Sequence, residues 1–83
     1  MKQLVSTPWQ LGQILQAARK AAGLNQTEAA ARLNISQSRM SHMELNPESI
    51  SVDQLLALIG ALGLELVIQD RTAGAAESAE VAW

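Results

Sequence analysis

The chain has 83 residues and a net charge of −2, with no cysteine, one histidine and only two aromatic side chains. A chain of this length forms one small domain with a marginal core, and without thiols it has neither disulfides nor zinc–thiolate sites, so oligomerisation is the expected source of further stability. The charge is uneven: residues 1–45 hold five cations against two anions, and residues 46–83 hold one cation against six anions. This asymmetry indicates two partners of different chemistry, or only the chance unevenness of a small protein.

The first predicted helix begins after Thr7, which is a good N-cap, with Pro8 suited to the first helical position and Gln10 placed to complete a capping box. Gly23 is expected to end this helix. Its apolar stripe has the spacing i, i+3, i+4, i+7 and consists of Leu11, Ile14, Leu15 and Ala18.

Two cations, Arg19 and Lys20, stand near the end of this helix. They have two interpretations. Either they contact phosphate, or they complement the helix dipole from a solvated face.

The stretch from Asn25 to Leu45 predicts two short helices separated by a tight turn. Asn25 and Glu28 have capping-box spacing, Asn34 is suited to a left-handed turn residue, and Ser36 caps the second helix. The pattern is that of a helix-turn-helix whose recognition helix spans residues 36–45. Its core-facing positions are Ala29, Ala30, Leu33, Ile35, Met40 and Met43.

The exposed side chains of this recognition helix are hydrogen-bonding groups of the kind that read base edges in the major groove. Gln37 suits a bidentate adenine contact, and Arg39 suits guanine or phosphate. The candidate DNA-contacting residues are Gln26, Thr27, Ser36, Gln37, Ser38, Arg39, Ser41, His42 and Arg19.

A fourth helix is predicted to follow a loop at Asn46–Ser49 and to run from the cap Ser51, with Gln54 as capping-box partner, to Gly63. Gly60 inside this helix costs about 1 kcal/mol relative to alanine. The predicted buried face is Val52, Leu55, Leu56, Ile59 and Leu62.

Residues 64–69 change to a period of two, which favours a β-strand over a continuation of the fourth helix. A lone strand leaves backbone groups unpaired, and pairing with the same strand of a second copy across a two-fold axis would satisfy them. The predicted dimer contacts are Leu64, Leu66, Val67 and Ile68.

The remaining residues, 70–83, form a small, polar, acidic tail that ends in Trp83. The composition predicts disorder in isolation. Trp83 either anchors a partner, since tryptophan is a frequent hot-spot residue, or packs back on its own domain. The domain organisation expected is thus a folded unit at 1–69 followed by a flexible tail at 70–83.

Residues 11–62 resemble the Xre/Cro-like helix-turn-helix family. The resemblance rests on Gly23-Leu24-Asn25-Gln26-Thr27-Glu28-Ala29-Ala30 and on Asn34-Ile35-Ser36-Gln37-Ser38-Arg39-Met40-Ser41-His42-Met43-Glu44. Asn25 stands where the family usually has a serine or threonine cap, and Asn34 where it has a turn glycine. The resemblance implies a mainly α, four- to five-helix lambda-repressor-like domain, here with one C-terminal β-strand pairing across a homodimer.

A narrower resemblance is to HipB-type antitoxins. It rests on Ser6-Thr7-Pro8 with Gln10-Leu11 at the start of the first helix, on the strand at Leu64-Glu65-Leu66 and on the tail that ends in Trp83. It implies an antitoxin dimer that represses its own operon and binds a HipA-type serine/threonine kinase toxin. The alternatives are a stand-alone Xre/Cro-type repressor without a toxin partner and an adaptor that has lost DNA binding.

No catalytic constellation, cofactor motif or metal-ligand cluster is present in the sequence, so no enzyme activity and no cofactor are expected. The sequence also contains no apolar run of the roughly 20 residues that a membrane span needs and no signal-peptide core. A soluble, cytoplasmic DNA-binding protein is therefore expected.

Overall fold

A computed structural model describes residues 2–71, and within them the chain is mainly helical. Four α-helices span Pro8–Ala21 (α1), Gln26–Leu33 (α2), Gln37–Leu45 (α3) and Val52–Ala61 (α4), with a short 3-10 turn at Pro47–Ser49 between the last two. The predicted helix count and the position of the recognition helix, α3, are confirmed. No helix in this part of the chain is long and apolar enough to cross a membrane.

Each helix begins at the side-chain cap that the sequence predicts. The caps are Thr7, Asn25, Ser36 and Ser51, and each accepts a hydrogen bond from the backbone N–H three residues further on. Capping boxes are complete at α1, α2 and α4, where the side chain in the third helical position also accepts from the cap's backbone. Local chemistry therefore fixes where the helices start.

Left-handed residues end α1, α2 and α4. Gly23, Asn34 and Gly63 have φ values of 76°, 58° and 74°. After each of them the next residue's N–H donates back across the last turn, at 2.9–3.1 Å, which is the Schellman arrangement. Continuation of α4 through Gly63 is thus ruled out.

The core lies between the inner faces of all four helices. Its largest fully buried side chains are Leu15, Met40, Met43 and Leu58. Gly12 lets α1 approach the end of α3, because an added Cβ would lie only 2.7 Å from both the Glu44 carbonyl oxygen and Pro47 Cγ. This close contact helps to set the position of α3 against α1.

The predicted buried face of α4 is only partly right. Ile59 and Leu62 are buried and Leu55 packs against the core, but Val52 is 70% exposed and Leu56 is 48% exposed. Leu58, which the prediction omitted, is 1% exposed. The helix is apolar on almost all sides, so two different sets of residues have the spacing of a buried helix face. Only packing against the other helices decides which set is buried.

Residues 64–70 follow α4 without regular secondary structure, and the described residues contain no strand. Leu64 packs against the core, whereas Leu66, Val67 and Ile68 are exposed by 53%, 66% and 84%. A strand that pairs only with a second copy has no partner within one chain, so the predicted strand and dimer sheet stay predictions. The predicted partner anchor, Trp83, lies outside the described residues.

Candidate nucleic-acid interface

The start of α3 lies beside the start of α2. Gln26 is the first residue of α2 and Gln37 is the first residue of α3. Gln37 Nε2 donates a hydrogen bond to Gln26 Oε1 at 2.6 Å. Two helix N-termini, each with unpaired backbone N–H groups and a positive dipole end, are thereby placed next to each other on one surface.

A buried ion pair between Arg19 and Glu44 lies next to this glutamine pair, on the side of the core. Arg19 Nε donates to Glu44 Oε2 at 2.6 Å, and Arg19 Nη2 donates to Glu44 Oε1 at 3.2 Å. Arg19 Nη1 also donates to the Leu24 carbonyl oxygen at 2.9 Å. The two charged side chains are 8% and 4% exposed, so the pair joins α1 to α3 inside the fold.

The surface position expected for Arg19 is therefore wrong. Both interpretations placed its guanidinium in solvent, on a solvated face or at a phosphate, whereas the structure buries it against Glu44 and Leu24. A buried cation needs such partners because leaving it unpaired costs several kcal/mol. Arg19 thus acts inside the fold, through Glu44, whereas Lys20 beside it is exposed.

The ion pair fixes which way the glutamine amides point. Gln26 Nε2 donates to Glu44 Oε1 at 3.0 Å. A carboxylate engaged by arginine only accepts, so the amide nitrogen of Gln26 must face Glu44 and its oxygen must face Gln37. Gln37 in turn offers its nitrogen to Gln26, which leaves its own Oε1 and one N–H for a ligand.

Most of the other predicted contact residues lie near this pair in the chain and are open to solvent. Thr27, Ser36, Ser38 and His42 are exposed, and Ser41 is half-buried. The Ser36 hydroxyl is engaged as the α3 cap, accepting from the Arg39 N–H at 3.0 Å. Further along α3, His42 Nδ1 lies 3.4 Å from Asn46 Nδ2 in the following loop.

Arg39 differs from its neighbours because its guanidinium turns towards α4. It is half-buried, and Nη2 donates to Gln54 Oε1 at 2.8 Å and to the Ser49 carbonyl oxygen at 3.2 Å. The expected guanine or phosphate contact is therefore not prepared in this conformation.

Sequence reasoning missed the role of Glu44, although a signal was present. Glu44 follows Met40 by four residues on the buried side of α3, and Arg19 follows Leu15 by four residues on the buried side of α1. Opposite charges at core-facing positions of two helices indicate a buried ion pair, since each would otherwise be left unpaired.

Comparisons with known proteins agree with this geometry. A helix-turn-helix family model matches residues 15–69. The antitoxin HipB of Escherichia coli O6:H1 is 28% identical over 78 residues, covering 94% of this chain and 83% of the relative. HipB of E. coli K12 is 27% identical over 78 residues, covering 94% and 89%. Both relatives are named as antitoxins.

Solved structures show the same fold. A HipB-O1-O2 complex superimposes with a TM-score of 0.75 at 26% identity, covering 83% of this chain and all of the matched chain. A HipA-HipB-O2-O3 complex superimposes with a TM-score of 0.77 at 25% identity, covering 86% and 100%. With residues 15–69 inside the family model and the same arrangement of helices in these structures, the chain belongs to the helix-turn-helix family.

Proposed function

We propose that the protein is a DNA-binding antitoxin that acts as a homodimer, represses its own operon and binds a HipA-like serine/threonine kinase toxin. The observation that carries the DNA-binding part is the oriented Gln26–Gln37 pair at two adjoining helix N-termini. The similarity to HipB, in complexes with operator DNA and with HipA, supports the antitoxin part.

The free edge of Gln37 matches adenine. In the major groove adenine presents an N7 acceptor and an N6 donor, and a glutamine that offers one N–H and one oxygen satisfies both. Gln37 has these groups left after its bond to Gln26. Thr27, Ser38, Ser41 and His42 lie on the same two helices and Ser36 caps α3. These residues are proposed to complete the contact with bases and phosphates.

Apolar surface that one chain leaves uncovered supports the proposed dimer. Val52 and Leu56 on the outer face of α4, with Leu66, Val67 and Ile68 after it, are large apolar side chains exposed by 48–84%. A helix that is apolar all round is normally buried all round, and clustered exposed apolar residues mark association sites. We assign this surface to a second copy, with residues 64–69 pairing as strands.

Dimerisation would also compensate for the small number of exposed cations near the recognition helix. On the surface of α1 to α3, Lys20 and Arg32 are exposed cations, while Arg19 is neutralised by Glu44. Few phosphate contacts per subunit give weak binding. Two subunits spaced about one DNA turn, roughly 34 Å, would combine two weak half-site contacts.

The DNA assignment is tested with Gln37→Ala. The variant is expected to bind the DNA upstream of its own reading frame more weakly by about 1–3 kcal/mol, the value of one bidentate base contact. Gel-shift titration measures this, and Gln13→Ala, an exposed α1 glutamine, is the matched control. Equal affinities of Gln37→Ala and wild type would refute the assignment.

The toxin assignment is tested on the tail. Trp83→Ala, and deletion of Val81 to Trp83, are expected to abolish co-purification with a HipA-like kinase encoded beside this chain, because tryptophan anchors often supply much of an interface's affinity. Operator binding should be unchanged, and Glu80→Ala is the control. Undiminished co-purification would refute the role of Trp83 as an anchor. Absence of any kinase partner would favour the stand-alone repressor.

A further inference from the structure

Arg39 joins the recognition helix to the helix that follows it. It is the third residue of α3, and its backbone N–H is engaged by the Ser36 cap. Its side chain leaves α3 and reaches the loop and the start of α4, through Nη2 to Gln54 Oε1 at 2.8 Å and to the Ser49 carbonyl oxygen at 3.2 Å. A weaker contact joins Nη1 to Ser49 Oγ at 3.5 Å.

The acceptor on α4 is itself held in place. Gln54 donates its backbone N–H to Ser51 Oγ at 3.1 Å, and its Oε1 accepts the Ser51 N–H at 3.4 Å. This is the capping box that starts α4. Arg39 therefore contacts the capped first turn of α4, the helix that exposes Val52 and Leu56.

The same contacts leave Arg39 poorly disposed to read a base. A guanidinium binds two acceptors in parallel through either of two edges, Nε with Nη2 or Nη1 with Nη2. Both edges need a hydrogen of Nη2, and Nη2 already donates to Gln54 and to Ser49. A bidentate guanine contact would thus require Arg39 to release α4.

We propose that Arg39 is a positioning residue: it ties the recognition helix to α4, so that the angle of α3 on DNA follows the helix that forms the dimer. The inference rests on the proposed function, and it moves Arg39 from the base-reading set to the link between reading and dimerisation. Its consequence is selectivity for the spacing between half-sites, because a rigid link holds the two recognition helices at one separation.

The test measures spacing preference. The probe is the duplex that wild-type protein selects from a random-sequence library, resynthesised with one base pair added or removed between the half-sites, a shift of about 3.4 Å along the axis. Wild type is expected to lose about tenfold in affinity, comparable to one mismatched base pair. Arg39→Met and Gln54→Met are expected to lose clearly less, since either change frees α3 from α4.

Two variants separate this contact from general damage to α4. Gln54→Glu keeps an acceptor for Arg39 and for the capping box, so it should retain the wild-type spacing preference. Ser51→Ala removes the α4 cap but no Arg39 partner, and it should also retain that preference while lowering Tm. The proposal is overturned if Gln54→Met keeps the wild-type spacing preference. In that case Arg39→Met would weaken binding at every spacing and relax the choice of one base, as expected for a residue that reads a base.

A DNA-independent measurement keeps the inference decidable if no DNA is bound. If Arg39 and Gln54 are tied by their mutual hydrogen bond, the fall in Tm of the double variant should be smaller than the sum of the two single falls, because the shared bond is lost only once. Additive falls in Tm would refute the tie. Failure of wild type to select any duplex would instead refute the proposed function, so the two failures are distinguishable.

Discussion

Helices α1 to α3 and helix α4 start with the same kind of cap, yet they satisfy their side chains differently. In the first group a buried charge pair is hydrogen-bonded to Gln26 and Gln26 to Gln37, which keeps its Oε1 and one N–H for a ligand. The described residues hold no buried side-chain N or O atom without a partner. On α4 the inner face is buried, but Val52 and Leu56 stay exposed, as do three large apolar residues of the following segment.

The difference teaches that the two regions have different requirements. The reading region is complete in one chain, because every contact that orients Gln37 comes from α1, α2 and α3. On α4, Val52 and Leu56 stay in water, which forgoes about 25 cal/mol per Å² of burial, and the proposed second copy would supply that burial. Under the proposed function, one chain prepares the reading face and a second copy is needed to use it.

The largest expected effect breaks the complete region. Glu44→Ala removes the acceptor of Arg19 and leaves a buried cation unpaired, so the free energy of unfolding should fall by about 3–5 kcal/mol. Urea denaturation measures the loss. Gln26 also loses the group that orients its amide, so operator affinity should fall even where the variant remains folded.

The control for this prediction removes both charges. Arg19→Met combined with Glu44→Leu leaves no unpaired charge and should be far more stable than Glu44→Ala, because replacing a buried ion pair by apolar side chains is often nearly neutral. If Glu44→Ala alone unfolds at the wild-type urea concentration, the pair does not hold α1 to α3.

A smaller effect is expected from the exposed apolar face of α4. Leu56→Lys places a charge on the outer face of α4, where the chain alone leaves the side chain 48% exposed. Because only about half of each side chain remains to be buried, losing it should weaken the dimer by about 1.5–3 kcal/mol in total over the two copies. Sedimentation equilibrium should show monomers at concentrations where wild type is dimeric. Leu66→Lys should have the same effect.

The control is Gln13→Lys, which adds the same charge on α1 and should leave the dimer intact. An undiminished dimer in Leu56→Lys would refute the assigned face.

What could be predicted from the sequence follows the same division. Caps and left-handed turns are local, so Thr7, Ser36 and even Asn34 in place of glycine could be identified from neighbouring residues alone. Arg19 could not be placed correctly from its own helix, because its partner Glu44 is 25 residues away. On α4 the local pattern allowed two buried stripes, and only contact with the other helices excludes Val52 and Leu56.

Two helical glycines, one in each region, provide the finest test of the comparison. Gly12→Ala places a Cβ at 2.7 Å from the Glu44 carbonyl oxygen, a backbone atom that cannot easily move, so about 1–3 kcal/mol of stability should be lost to overpacking. Around Gly60 an added Cβ meets nothing within 4 Å, so Gly60→Ala should stabilise the free chain by up to about 1 kcal/mol.

The same pair of variants separates folding from association. Gly12→Ala should lower stability equally at low and high protein concentration, because its contact lies within one chain. Gly60 is exposed on α4. If a second copy packs closely there, the added methyl group would clash in the dimer, so Gly60→Ala would lower Tm at high protein concentration although it raises Tm at low concentration. Thermal unfolding across a concentration series measures both, and a Gly60→Ala gain that persists in the dimer would show that the partner does not approach at Gly60.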